Sequence, residues 1–271
     1  EGQAQIGGYD IFLTKISPSG TKIWSQRWGS SSNDEGQSVA VSGVDNSVYV
    51  TGYAGGSVDG QTYQGGNDIF LTKWSSDGVK QWTRMWGTTG DDRGYGVGIS
   101  SSNFIYVSGW TSSNLDGQTN TNTGLNDAFV TKWDSNGVKQ WTRLAGSSGS
   151  DYSIAISVST TEDAIYSSGY AGGSVDGQPY AGGISDVLLL KYNSTGDKQW
   201  TRMLGSTGYD YGWGVTANPF DGAVYVCGYT DGNLFNQTNA GGGDAFISKW
   251  TSCSAGFYCP SGGMLSAVAC T

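Results

Sequence analysis

The chain has 271 residues, with 14 Lys and Arg against 23 Asp and Glu and a net charge of −9. Its cations recur at regular intervals and form no stripe that could neutralise phosphates, which excludes nucleic acid as a partner. Its 11 Trp and 16 Tyr exclude a disordered low-complexity chain, its 45 Gly with only 4 Pro exclude a collagen helix, and no apolar run approaches the ~20 residues of a membrane-spanning helix.

The chain opens on Glu1-Gly2-Gln3, which is equivalent to Asp59-Gly60-Gln61, Asp116-Gly117-Gln118 and Asp176-Gly177-Gln178 further on. It therefore starts inside a repeat, as a processed chain or a piece of something longer would. Next comes Asp10-Ile-Phe-Leu-Thr-Lys15, and the same element returns at Asp68, Asp127, Asp186 and Asp244, at intervals of 58, 59, 59 and 58 residues. So regular a period marks a repeat architecture.

Each period holds four short runs rich in β-branched and aromatic residues, shown in the second by Ile69 to Trp74, Lys80 to Trp86, Tyr95 to Ser100 and Phe104 to Trp110. Ser75-Ser-Asp-Gly78 joins the first two, and a Gly at the same place in Ser17 to Gly20, Asp134 to Gly137 and Asn193 to Gly196 is hairpin chemistry. The third run alternates, with Val39 and Val41, Val97 and Ile99, Ile156 and Val158, and Val215 and Ala217 set between small residues. One narrow apolar edge suits a crowded inner strand. No helical period occurs anywhere. Four antiparallel strands per repeat, evenly spaced, describe the blade of a β-propeller, all-β and with about four blades over residues 1–250. The first element occurs five times and the other three four times, giving seventeen strands where four closed blades need sixteen. The surplus allows a closed ring with a redundant edge, a part of a larger ring, or an open end that pairs with another subunit.

The run Gly-Gly-Asn-Asp68-Ile-Phe, with Gly78-Val-Lys-Gln-Trp82, the Gly87 to Asp92 loop and Ile105-Tyr-Val-Ser-Gly, resembles the β-propeller repeats of large secreted and surface proteins. The resemblance implies that the Val39-type strand is innermost and the Gln-Trp-Thr-Arg strand lies towards the rim. It implies hardly any chemistry. After Trp250 the repeat stops. Residues 251–271 then read as a short cysteine-rich tail, in which Cys253-Ser-Ala-Gly-Phe-Tyr-Cys259-Pro-Ser-Gly resembles the start of the ephrin-receptor-like repeats of extracellular proteins. With Cys227 and Cys270 the chain has four cysteines, for which three pairings exist. Cys227 with Cys253 and Cys259 with Cys270 is the one we prefer, and a zinc site is the weaker alternative because no His is present. Asn193-Ser-Thr195 and Asn236-Gln-Thr238 are N-glycosylation sequons in a turn and a loop. Together these features point to an extracellular, secreted or surface protein.

Two sets of acids recur: Asp34, Asp92, Asp151 and Asp210 after a Gly-rich loop, and the Asp that leads each first strand. They could bind calcium, but four equivalent acids more naturally cap four equivalent turns. We expect no metal and no cofactor. The recurring Lys and Arg are expected to pair with those acids between blades, or to lie over Trp rings. Tyr53, Trp110, Tyr170 and Tyr229 end the fourth strands beside polar loops, the composition of a carbohydrate-binding site, with packing between blades as the alternative. Catalysis has little to work with. Zero His leaves no Ser-His or Cys-His nucleophile system, and Ser76-Asp77-Gly78 departs from the sialidase-type box, so only a carboxylate pair of glycosidase type remains. The sequence therefore reads as a non-enzymatic structural or adhesive module. It would pair with copies of itself or with neighbouring domains of a longer chain, with a glycan-binding lectin as the alternative and a glycosidase third.

Overall fold

A computed structural model describes residues 5–122, 124–160, 163–235, 237–251 and 264–269. Its strands form one two-stranded and four four-stranded antiparallel sheets. The half-blade is β1 (Ile11–Ile16) with β2 (Lys22–Trp28). Blade one is β3 (Asp34–Val41), β4 (Val48–Ala54), β5 (Asp68–Trp74) and β6 (Lys80–Trp86); blade two is β7 (Asp92–Ile99), β8 (Ile105–Thr111), β9 (Asp127–Trp133) and β10 (Lys139–Ala145). Blade three is β11 (Asp151–Val158), β12 (Ala164–Ala171), β13 (Asp186–Asn193) and β14 (Lys198–Leu204); blade four is β15 (Asp210–Ala217), β16 (Val224–Thr230), β17 (Asp244–Trp250) and β18 (Met264–Ala269). Strands within a blade pair in chain order, and the fold is that of β-propeller blades. The turns expected to close the hairpins do so, with Gly20, Gly78, Gly137 and Gly196 all at positive φ.

The core is split into four apolar layers, one between each sheet and the next. Ile11 and Trp28 of the half-blade meet Val50, Phe70 and Trp74 of blade one. Tyr49, Ile69 and Leu71 then meet Val97, Val107 and Phe129 of blade two, and the same pattern continues through blades three and four. A strand covered on both faces reads as a continuous apolar run, and β4, β8 and β9 are buried at every residue.

Three details differ from the sequence reading. The third run of each period starts earlier than its apolar residues do, because Asp92, Arg93 and Gly94 already pair with Thr111, Trp110 and Gly109. A β-bulge follows at Tyr95, and equivalent bulges sit at Gln37, Ile154 and Trp213. An eighteenth strand also exists: residues 264–269 pair with β17 and complete blade four. Finally, the sheets form no closed ring. Each packs on its neighbour in chain order, and among the described residues no extensive packing joins β1 and β2 to blade four. The reason is visible in the pairing. The slot beside β16 that β1 would fill in a four-blade ring is held by β17, the fifth copy of the same element.

Candidate functional site

Two repeated constellations emerge. The first joins the two sets of acids, which lead the third strand of one blade and the inner strand of the next. Asp68, Asp92, Asp127, Asp151, Asp186 and Asp210 are all fully buried. The turns are capped as expected: Asp92 Oδ2 accepts from Thr88 N at 2.5 Å and Thr88 Oγ1 at 2.8 Å, and Asp68 Oδ2 accepts from Gln64 N at 2.6 Å. The remaining oxygens of Asp68, Asp127, Asp186 and Asp210 have no hydrogen-bond partner among the described residues. Burial, aided by the charge of Asp92, pushes Asp68 up to about 6; burial likewise raises Asp151 to about 7, with Asp127 adding to it, and Asp186 to about 6 beside Asp210. No three Asp, Glu or Cys side chains converge on a metal-sized space among the described residues.

The recurring Lys and Arg go elsewhere than to these acids. Lys132 Nζ donates to Ser194 O of the next hairpin turn at 2.8 Å, Trp141 Nε1 to the same oxygen at 3.2 Å, and Arg143 Nε to Gly196 O at 2.8 Å. Lys73, Trp82 and Arg84 hold the preceding turn through Ser135 O and Gly137 O in the same way. Arg84 and Arg143 also lie over the rings of Trp82 and Trp141, as one of the two sequence expectations had it. The other does not describe Lys73, Arg84, Lys132 and Arg143, whose hairpin carbonyls are nearer than the buried acids; Arg27 does approach one, with Nε 3.8 Å from Asp10 Oδ2.

The second constellation is aromatic. Opposite each of the predicted residues, on the second strand of its blade, a partner stands at the second position of the inner strand: Glu35 with Tyr53, Arg93 with Trp110, Tyr152 with Tyr170, Tyr211 with Tyr229. Successive pairs interlock across the blade boundaries. The Arg93 guanidinium lies 4.4 Å from the Tyr53 ring and 5.4 Å from the Trp110 ring. Trp110 meets Tyr152 edge-on at 5.7 Å, Tyr152 stacks on Tyr170 at 4.5 Å, and Tyr170 meets Tyr211 at 4.4 Å. Trp213, at the last bulge, lies 5.6 Å from Tyr211 and 6.4 Å from Tyr170. The result is a ribbon running from blade one to blade four, widening into a shallow cavity of about 370 Å³ walled by Tyr209, Tyr211, Trp213 and Tyr229. Burial raises the Tyr53 hydroxyl to about 12 and pushes those of Tyr170 and Tyr211 up as well, so all stay protonated at neutral pH.

The four predicted aromatic residues thus lie on one line, at different depths. Tyr53 and Trp110 are 7% and 8% exposed and pack between blades; Tyr170 and Tyr229 are half-buried; Trp213 is 53% exposed. Tyr152 and Tyr211 were missed, although their place directly after Asp151 and Asp210 is a signal the sequence carries. Of the other sites, Cys227 is exposed and free among the described residues, while Cys253, Cys259, Cys270 and Asn236 lie outside them. Asn193 sits in the turn gripped by Lys132 and Trp141, and its Nδ2 donates to Asp197 Oδ2 at 3.0 Å.

The comparisons with known proteins agree with this architecture. The family model described as beta-propeller repeat matches residues 81–116 and 199–236, each running from a rim strand through the next inner strands. The chain is 22% identical over 207 residues to an uncharacterized WD repeat-containing protein of Acanthamoeba polyphaga mimivirus, covering 64% of this chain and 15% of that protein. It is 27% identical over 178 residues to the regulatory protein FlaEY of Caulobacter vibrioides, covering 55% of this chain and 18% of that protein. The chain has the fold of β-propeller blades and is similar to the beta-propeller repeat over those residues, and it spans less than a fifth of the length of either relative.

Proposed function

We propose that the chain is a non-enzymatic structural and adhesive module of an extracellular protein, working through the faces that its blades present to one another. The observation that carries this reading is the half-blade. Phe12 is 73% exposed there, although its counterparts Phe70 and Phe129 are buried by the preceding blade, and Ile16 and Ile23 are exposed with it. Beside it, Leu13, Trp24, Val39, Val41 and Val48 line a groove of about 570 Å³. An apolar sheet face and an unpaired strand edge of this kind accept further strands. Their register and composition fit the inner pair of another repeat, carried by neighbouring sequence or by a second copy. Negative-stain imaging of purified material tests this. Filaments or paired arcs support it, and monodisperse single particles at high concentration refute it. The cysteine-rich tail supports the extracellular assignment, which fails if the native protein is found in the cytoplasm with all thiols reduced.

A second reading, carbohydrate binding, is favoured by the ribbon. Flat aromatic faces beside amides and hydroxyls bind sugars through their C–H faces and hydroxyl groups. A glycan array tests it, with no signal even under multivalent display as the negative outcome.

A further inference from the structure

We infer that the aromatic ribbon is one elongated site for a neutral, unbranched β-1,4-linked glycan, anchored at Trp213 and running back over Tyr211, Tyr170 and Tyr152 towards blade two; this rests on the carbohydrate reading above and replaces separate sites on each blade with one. Four independent sites would need four similar exposed rings. The structure instead buries Tyr53 and Trp110 and concentrates exposure at the far end, where Trp213 is 53% accessible. Trp213 is the bulged residue of β15, and bulges re-aim side chains next to sites. A Trp turned into solvent contributes little to folding, so packing does not account for its place.

The ligand class follows from what surrounds the rings. Their centroids follow one another at 4.4 to 5.7 Å from Trp110 through Tyr152, Tyr170 and Tyr211 to Trp213, a path that suits a straight chain of flat rings better than a branched one. Stacking on such rows also serves single-stranded nucleic acid, but that mode needs a cationic groove, and this chain carries a net charge of −9. Near the anchor the charge is acidic: Asp231 accepts from Tyr209 N. Asn126 Nδ2 donates to Tyr152 Oη at 2.8 Å, which leaves the Tyr152 hydroxyl proton to be given to a sugar oxygen. Hydroxyl and amide partners of this kind suit an uncharged ligand.

Titration calorimetry with a ladder of cello-oligosaccharides, from the disaccharide to the hexasaccharide, tests the inference. Affinity is expected to rise at least about tenfold along the ladder, with one long oligomer bound per chain. Trp213→Ala should lower hexasaccharide affinity by a similar factor with an unchanged thermal unfolding midpoint, and Trp213→Phe should restore part of it. Equal affinity for short and long oligomers, with several bound per chain, overturns the single ribbon and leaves a lectin with one site per blade. Preference for an oligogalacturonate ladder run in parallel overturns the neutral assignment. No binding by either ladder overturns the inference, and the carbohydrate reading falls with it only where the glycan array is silent as well.

Discussion

Gly87 shows how closely two blades approach. A Cβ built there would lie 2.4 Å from Asp68 Oδ1 and 3.0 Å from Asp92 Oδ2, so only a hydrogen can face the acid pair. Gly87→Ala is expected to lower stability by about 1–3 kcal/mol through forced displacement of a buried carboxyl. Gly60→Ala, at a turn where an added Cβ meets nothing within 4 Å, carries only the strain of its positive φ and serves as the comparison. A thermal melt separates the two, and equal effects would refute the steric account. The acid pair also sets a pH dependence. Burial raises Asp68 and Asp186 to about 6 and Asp151 to about 7, against ~3.9 for an unfolded Asp. Between those values the folded chain holds protons that the unfolded chain has released. The stability these groups contribute is complete below about pH 4 and is lost as the pH rises through 6 to 7. The melting temperature should therefore fall from pH 5 to pH 8 or so, and Asp151→Asn should flatten the slope. A melting temperature that rises over that range would sink the assignment.

The hairpin between the third and rim strands is the element that binds one blade to the next. The half-blade and blades one and two each grip the turn carbonyls of the following blade with a Lys and a Trp, joined in blades one and two by an Arg, and Lys132 does so while nearly buried. Lys132→Met keeps the stem over the Phe104 and Tyr106 rings but leaves Ser194 O short of a charged donor. Losing a charge-assisted bond of this kind costs about 1.5–3 kcal/mol. Urea titration should show a lower midpoint with an unchanged slope; an unchanged midpoint would mean that Trp141 and Arg143 hold the turn without Lys132. The grip also bears on Asn193, whose turn is the one held by Lys132.

At the level of the molecule, among the described residues each blade packs extensively only on its neighbours, so stability behaves as a sum of blade terms and interface terms. Blades one to three are covered on both sides, whereas β1 exposes Phe12 and β17 exposes Ala245 and Ile247. Native-state amide exchange should therefore be slowest in β4, β5, β8, β9, β12 and β13 and fastest in β1, β2 and β17. Uniform protection along the chain would contradict the open arc and favour a closed ring.

Periodicity determined the blade by itself: four strands per repeat and their hairpin turns follow from a pattern of apolar residues and glycines that each repeat carries locally, whereas the rim position of the Gln-Trp-Thr-Arg strand came from the resemblance to propeller repeats. The Asp–Gly–Asp contacts were half legible, since the acids and glycines recur but nothing in their spacing says that acids from different blades meet. Only the tertiary structure decided the rest. Whether the ring closes depends on β17 and β1 competing for one edge of β16, and two near-copies cannot be ranked from their residues alone. The ribbon, likewise, arises because Trp110 and Tyr152, and Tyr170 and Tyr211, far apart in the chain, are brought within ring contact across blade boundaries and because a bulge turns Trp213 out of the regular alternation. Neither the register shift nor the approach of two sheets is encoded at any one position; both follow from how twisted sheets pack.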